Sequence, residues 1–126
     1  MAIENKELTV NEKEWLELIL SKNFFYKEEV INQINRATII REYTDYYLAL
    51  KFQVKDMMPP IPTNIRMPVE MRVREKEKVP IQFLLHVIQG YVAELEVFKS
   101  DSSKINDDLI PIDGDVEILV NPEMVC

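Results

Sequence analysis

The residues best suited to acid–base chemistry are one histidine and two glutamates in a single stretch of the chain. His86 is the only histidine among 126 residues, and Glu94 and Glu96 follow it closely. Histidine exchanges protons near neutral pH, and a neighbouring carboxylate suits general acid–base catalysis. Two carboxylates on one strand face, roughly 6–7 Å apart, also suit a metal. An ordinary contact on a solvated sheet face fits equally well, so the sequence gives His86, Glu94 and Glu96 as weak catalytic candidates.

A second group of candidates lies in the acidic C-terminal segment. Seven of the 22 acidic residues fall in the last 27 positions, where Lys104 is the single basic residue. A surface of this sign attracts a basic partner and speeds its association. Asp107, Asp108, Asp113 and Asp115 are therefore candidate partner-binding residues, the alternative being that they only keep the protein soluble. The calcium-loop spacing D-x-D-x-D-G is absent, and no metal or other cofactor is expected.

A third group lies in residues 56–68, which hold four of the seven prolines and three of the six methionines. Proline removes amide donors and fixes the backbone, so this segment is predicted to be an extended loop. Long loops are often functional, and methionine adapts to irregular contacts. Met57, Met58 and Ile61 are therefore candidate partner-binding residues, and a plain surface crossover is the alternative.

The histidine and the glutamates are positioned by a predicted β-hairpin over residues 79–99. Two apolar runs flank Gln89 and Gly90, which form the turn signal of this stretch. Glycine adopts a left-handed backbone at no steric cost, so a positive φ is expected at Gly90.

Burial of apolar side chains selects the register of this hairpin. A two-residue turn of Gln89 and Gly90 pairs Leu85 with Glu94 and so places a carboxylate on an apolar face, where an unpaired charge is costly. A three-residue loop over residues 88–90 pairs Val87 with Tyr91 and makes one face wholly apolar. We therefore predict the three-residue loop, because a one-residue slip exchanges the two faces.

Periodicity elsewhere predicts the remaining elements. A capping box of Thr9 and Glu12 starts a helix over residues 10–21 with Trp15 in the core, and a second helix spans 27–35. Phe24 and Phe25, between these helices, are also expected in the core. Alternating apolar residues predict further strands over residues 37–43, 47–54, 69–74 and 116–120. The predicted fold class is α+β, with two N-terminal helices on one face of a mainly antiparallel sheet of about five or six strands. One domain over residues 1–126 is expected, with residues 1–7 frayed.

Composition and missing motifs exclude several classes of protein. The net charge of -7 disfavours nucleic acid as a partner, because phosphate contacts supply most of that affinity. The sole cysteine, Cys126, permits no disulfide within the chain and fits a reducing compartment. With no membrane-length apolar run and no signal-peptide core, a cytoplasmic location is predicted. The P-loop, Rossmann, H-E-x-x-H and G-x-S-x-G patterns are all absent.

Short motifs over most of the chain resemble a family of small bacterial domains of unknown function. The motifs are a Leu-Thr-x-x-Glu start before a Leu-rich helix, an Arg-Glu-Tyr strand end and a Gly-x-x-x-Glu-Leu-Glu run ending in Lys-x-Asp. The residues that carry them are Leu8, Thr9, Glu12, Leu16, Leu18, Arg41, Glu42, Tyr43, Gly90, Glu94, Leu95, Glu96, Lys99 and Asp101. Some families of this kind lie beside toxin genes as immunity proteins. The resemblance thus implies a toxin-neutralising role and identifies no binding residue.

The leading interpretation is a non-enzymatic protein-interaction domain that binds a basic protein. The alternative is a small enzyme, or a ligand- or metal-binding domain, that uses His86, Glu94 and Glu96. No membrane or nucleic acid is expected as a partner, and the sequence leaves homo-oligomer formation open.

Overall fold

The chain folds into two helices followed by six strands. The computed structural model describes residues 2–55, 57–74, 79–105 and 115–126. The elements are α1 (Val10–Ile19), α2 (Lys27–Arg36), β1 (Thr38–Tyr43), β2 (Tyr47–Gln53), β3 (Val69–Arg74), β4 (Ile81–Ile88), β5 (Tyr91–Lys99), β6 (Asp115–Val120) and a 3-10 helix, Pro122–Met124. The predicted α+β class is confirmed. Within the described residues, neither α-helix has the length and apolar character needed to cross a membrane.

The six strands form one antiparallel sheet in the order β1-β2-β5-β4-β3-β6. Apolar side chains alternate onto one face, called the inner face, where Leu50, Leu85 and Leu95 are fully buried. Both helices add their apolar sides to this core. The ring of Trp15 in α1, for example, lies 5.8 Å from the ring of Phe83 in β4. The opposite side of the sheet, called the outer face, carries polar or charged side chains from every strand.

Helix α1 begins with the predicted capping box. The Thr9 hydroxyl accepts a hydrogen bond from the Glu12 amide at 3.1 Å, and the Glu12 carboxylate accepts one from the Thr9 amide at 2.8 Å. Arg41 of β1 donates two more to the Glu12 carboxylate, both at 2.6 Å. Burial disfavours the ionised form of Glu12, but the bonds from Arg41 and Thr9 outweigh it and lower the pKa of this carboxyl. One ionised glutamate therefore both caps α1 and ties it to the edge strand β1.

The turn between β4 and β5 differs from the predicted one. Val87 lies opposite Val92 rather than Tyr91, so the prediction of a three-residue loop is wrong. The turn consists of Gln89 and Gly90, with φ values of 53° and 84°. Positive φ at both central positions is typical of a type I′ turn, whose twist matches the strands that it joins. The positive φ predicted for Gly90 is confirmed.

A β-bulge reconciles this short turn with an apolar inner face. The pairing shifts by one residue on β5, where Ala93 has no partner, so Leu85 lies opposite Leu95 and not opposite Glu94. Glu94 and Glu96 consequently remain on the outer face. The two-residue turn was disfavoured because an unbroken ladder buries carboxylates, and the bulge removes that penalty.

The turn is held from two sides by parts of the chain distant in sequence. The Gly90 carbonyl accepts hydrogen bonds from the Ile61 amide at 2.7 Å and from the Gln33 side chain at 3.0 Å. The Gln33 side-chain oxygen in turn accepts one from the Val92 amide at 2.8 Å. A Cβ atom at position 90 would lie 2.7 Å from Pro60 Cβ and 2.8 Å from the Ile61 carbonyl oxygen. Glycine is therefore required here for space as well as for conformation.

The N-terminal residues pack against α2. Ile3 and Asn5 are buried. The Asn5 side-chain amide donates to the carbonyls of Ile34 and Ala37 at 2.8 and 2.7 Å. These carbonyls lie at the C-terminal end of α2, where helical backbone lacks internal partners. The expectation that residues 1–7 fray is wrong for Ile3 and Asn5.

The ionised state of Glu12 makes folding stability depend on pH. Because the folded pKa lies below the ordinary value of 4.5, this stabilisation is fully present above that value and is lost as the pH falls through the folded pKa. We expect Glu12→Gln to lower the free energy of unfolding by about 2 kcal/mol at neutral pH, through weakened charge-assisted hydrogen bonds. The difference from wild type should shrink in acid. Urea unfolding at pH values above and below the carboxyl range measures it.

A matched control is available on the same helix. Glu17 is exposed, so Glu17→Gln should leave the unfolding free energy nearly unchanged at either pH. A deficit of Glu12→Gln that has the same size in acid and at neutral pH would contradict the ionised pair with Arg41.

The close approach at Gly90 gives a second prediction. We expect Gly90→Ala to destabilise the protein by about 2–3 kcal/mol, because left-handed strain adds to the collision with Pro60 and Ile61. Gln89→Asn is the control in the same turn and should be neutral or stabilising, since asparagine favours positive φ. Equal urea midpoints for Gly90→Ala and wild type would show that the turn is not packed in this way.

Candidate functional site

The outer face brings the three sequence-predicted acid–base candidates together. His86 of β4 lies directly opposite Glu94 of β5 in the sheet. The imidazole, however, contacts the next outward glutamate: its Nε2 lies 3.0 Å from Oε1 of Glu96. The His86 side chain is only 9% exposed, so this contact is largely shielded from solvent. The sequence pattern favoured a contact between His86 and Glu94, but the contact forms with Glu96.

Arg66, which lies outside every predicted strand, completes one side of this cluster. Its Nε lies 3.4 Å from Nδ1 of His86. Because a guanidinium can only donate, Nδ1 must accept, and the ring proton then lies on Nε2, directed at Glu96. Arg66 is fixed by its own backbone, since its carbonyl accepts a hydrogen bond from the Val87 amide at 2.6 Å. No sequence signal identified Arg66, because its contact depends on how the loop crosses the end of β4.

Tyr47 of β2 lies on the other side of Glu96. Burial, the negative charges of Glu94 and Glu96 and the charge of Glu42 together raise the pKa of Tyr47 to about 12. The phenol therefore remains protonated over the physiological range. Its outward position was readable from the alternation of β2, although its pairing with Glu96 was not.

Arg66, His86 and Glu96 form a continuous series of hydrogen bonds, and Tyr47 lies close to its Glu96 end. A general base needs a lone pair directed at its substrate. In this arrangement the acceptor nitrogen of His86 is occupied by Arg66, and the Glu96 carboxylate accepts from the other ring nitrogen. Among the described residues, no three histidine, cysteine, aspartate or glutamate side chains are grouped closely enough to hold a metal ion. The geometry is therefore better suited to a structural role on the sheet surface than to acid–base catalysis.

Negative charge predominates on the described part of the outer face. Its carboxylates are Glu42, Glu70, Glu94, Glu96, Asp115 and Glu117, and the basic side chains on its strands are Lys51, Arg72 and Arg74. Two basic residues are partly neutralised, since Lys51 lies 3.1 Å from Glu42 and Arg72 lies 3.8 Å from Glu70. Even with Arg66 included, carboxylates outnumber cations. This face therefore favours cationic ligands.

The Pro/Met-rich segment is only partly available to a partner. Met57 is 96% exposed, whereas Met58 is partly buried and its carbonyl accepts a hydrogen bond from the Tyr91 hydroxyl at 3.0 Å. Ile61 is 3% exposed, so the expectation that it belongs to an exposed binding surface is wrong. The proline-rich sequence suggested a surface loop, but the Ile61 amide bonds to the hairpin turn and carries its side chain into the core.

The acidic C-terminal candidates are placed in part. Asp115 begins β6 opposite Arg74 and is exposed at the edge of the sheet. Asp107, Asp108 and Asp113 lie outside the described residues, so their role remains a prediction. The described end of this segment nonetheless joins the outer face, because Asp115 and Arg74 point outward from paired strands.

The raised pKa of Tyr47 tests the electrostatics of the cluster. Phenolate absorbance is measured after a rapid pH jump, before the protein unfolds, for wild type and for Tyr47→Phe. The difference between the two should reveal one tyrosine with a pKa of about 12. Glu94→Gln combined with Glu96→Gln should lower that midpoint, because two neighbouring negative charges are removed. Glu70→Gln, on the same face in β3, is the control. An unchanged midpoint in the double variant would contradict the assigned cause.

Comparison with known proteins adds a family. A family model described as a domain of unknown function, DUF6984, matches residues 5–108. No curated protein and no solved structure gives a significant match to this chain. The matched range contains both helices, strands β1 to β5 and the cluster around His86, and it is well over half of the sequence. The protein therefore belongs to the DUF6984 family.

Proposed function

We propose that this protein is a non-enzymatic binding domain that receives a basic protein on its acidic outer face. The observation that carries the proposal is the asymmetry of the sheet. The two described helices pack on the inner face, while the outer face presents more carboxylates than cations. The acidic C-terminal segment, which includes β6, adds further negative charge in the sequence.

The area and the residue composition of the outer face support protein binding. Five strand spacings and strands of 6 to 9 residues give an area on the order of 600 Å². A standard interface uses roughly 800 Å² per partner, so this face with its margins is adequate. Leu84, Phe98 and Leu119 lie half-buried between the charged residues. Apolar patches of this kind surrounded by polar groups are typical of non-obligate interfaces.

A toxin-neutralising role is the specific form of this proposal. Proteins that cleave nucleic acid hold phosphates with lysine and arginine, and their binding surfaces are correspondingly basic. An acidic protein surface of matching size binds such a site by charge complementarity and excludes the nucleic acid. The cytoplasmic location expected from the sequence belongs to the same proposal.

The state of His86 favours binding over the enzymatic alternative. Both ring nitrogens have partners within the protein, so catalysis by His86, Glu94 and Glu96 would first require the contact with Arg66 to break. The same contacts fit a role in which Glu96 and Tyr47 are held in fixed positions on a recognition surface.

The experiment compares matched charge-removal variants against one purified partner, isolated from source cells by affinity capture. The outer-face variant carries Glu94→Gln, Asp115→Asn and Glu117→Gln. The control variant removes three charges from the helices, with Glu14→Gln, Glu17→Gln and Glu28→Gln. We expect the outer-face variant to associate about tenfold more slowly at low salt, with a smaller deficit at high salt, because steering by charge is screened. The helix variant should differ from wild type by less than about twofold.

Two further variants separate the remaining possibilities. Asp107→Asn, Asp108→Asn and Asp113→Asn together test the C-terminal segment, and the proposal expects an intermediate loss of association rate. His86→Ala with Glu94→Ala tests the alternative site. Equal association rates for the outer-face and helix variants would overturn the proposed surface. A partner lost only with the His86 variant would transfer the function to the histidine cluster.

A further inference from the structure

A separate cavity lies where three non-strand parts of the chain meet. The connection between α1 and α2, the Pro/Met-rich segment and the 3-10 helix border this cavity, which opens to solvent and has a volume of about 540 Å³. Its walls include two aromatic rings, Phe25 and Tyr26, and one carboxylate, Glu123. None of the residues that line it is basic.

The two aromatic rings are presented to solvent beside each other. Phe25 is 49% and Tyr26 is 39% exposed, and their ring centroids lie 6.3 Å apart at an interplanar angle of 45°. The expectation that Phe24 and Phe25 both lie in the core is therefore confirmed for Phe24 and wrong for Phe25. Aromatic rings attract cations to their negative faces, so a pair of exposed rings is a suitable wall for a cationic group.

The backbone holds these rings in an unusual conformation. Tyr26 has a φ of 68°, in the left-handed region that bulky residues rarely occupy. The Phe25 amide donates to the Met124 carbonyl at 2.8 Å, and the Tyr26 carbonyl accepts from the Val30 amide at 3.0 Å. These bonds tie the aromatic pair to the 3-10 helix on one side and to α2 on the other. The backbone that carries the rings is thus tied to the 3-10 helix whose Glu123 lines the same cavity.

Glu123 supplies the charge that complements a cation. Its amide donates to the Asn121 side chain at 3.0 Å, which fixes the first turn of the 3-10 helix. Its carboxylate makes no salt bridge with another described residue. A carboxylate beside two aromatic rings offers a long cationic side chain both an ion pair and ring contacts.

We propose that this cavity binds an arginine or lysine side chain of the basic partner protein. The inference rests on the proposed function and adds an anchoring position to it. Ile65 lines the cavity, and the next residue, Arg66, contacts His86 on the outer face, so both sites lie along one segment. Buried or partly buried arginines are frequent energetic anchors at protein interfaces.

The test uses a small probe and does not need the partner. Nα-acetyl-arginine amide is titrated into the 15N-labelled full chain, and Nα-acetyl-citrulline amide, which has nearly the same shape without charge, is the matched probe. We expect the arginine probe to shift the amide resonances of Phe25, Tyr26 and Met124 in a saturable manner. Glu123→Gln should weaken its apparent affinity by about three- to fivefold, and Phe25→Leu by a similar factor, while Glu17→Gln leaves it unchanged.

Each outcome decides the inference or separates it from the proposed function. Equal shifts by the citrulline probe would identify a neutral ligand and overturn the cation site, as would undiminished affinity in Glu123→Gln. If the arginine probe fails while the outer-face variant still loses salt-dependent association, this cavity inference alone falls. If the probe binds but the outer-face and helix variants associate equally, the proposed surface alone falls.

Discussion

The hairpin at the centre of the sheet depends on one buried amide, that of Gln33. Strand β2 pairs with β5 only between Glu94 and Phe98, so the Val92 amide lies beyond the neighbouring strand. Gln33 accepts from that amide and donates to the carbonyls of Gly90 and Pro59, at 2.8, 3.0 and 3.3 Å. With the side chain 1% exposed, water cannot replace these partners. An unsatisfied buried polar group costs about 1–3 kcal/mol, so helix, turn and loop must form together.

On the opposite side of the hairpin tip, the Pro/Met-rich segment supplies the missing hydrogen-bond partner. Pairing of β3 with β4 stops at Leu85, and the Val87 amide beyond it donates to the Arg66 carbonyl. That bond fixes Arg66 where its guanidinium meets His86. At the hairpin tip, the Val92 and Val87 amides are therefore satisfied by an α2 side chain and by a loop carbonyl. The outer-face cluster is a consequence of closing the hairpin tip.

Sequence patterns predicted the elements that depend on residues close together in the chain. Thr9 and Glu12 fix the start of α1 within three residues, and period-two alternation fixes which side chains of β2 and β3 face the core. The bulge at Ala93 was not predictable from pairing rules alone. These rules assume an unbroken ladder, in which the only choice is which of the two faces is buried. Gln33 did leave a signal, since it lies beside Ile34 and three residues after Val30 on the buried side of α2. A polar residue on an apolar stripe indicates a specific buried partner.

The candidate site was less predictable, since its contacts join segments far apart in sequence. His86 and Glu96 share a face by alternation, whereas Arg66 reaches them only through the path of a proline-rich loop. Phe25 is exposed for a related reason. The left-handed backbone of Tyr26 redirects the chain between Phe24 and α2, so neighbouring aromatic residues point to different environments. Hydrophobicity predicts burial on average and does not identify which ring of an aromatic run remains outside.

The bulge also separates the requirements of the apolar inner face from those of the charged outer face. By omitting Ala93 from the ladder, it lets Leu85 meet Leu95 on the inner face while Glu94 and Glu96 both remain outside. The inner face then determines the register, because a one-residue slip would exchange its apolar side chains with charged ones. Outer-face charges contribute little to stability where they are solvent-exposed. Their sign and spacing are therefore independent of the packing requirements of the core that positions them.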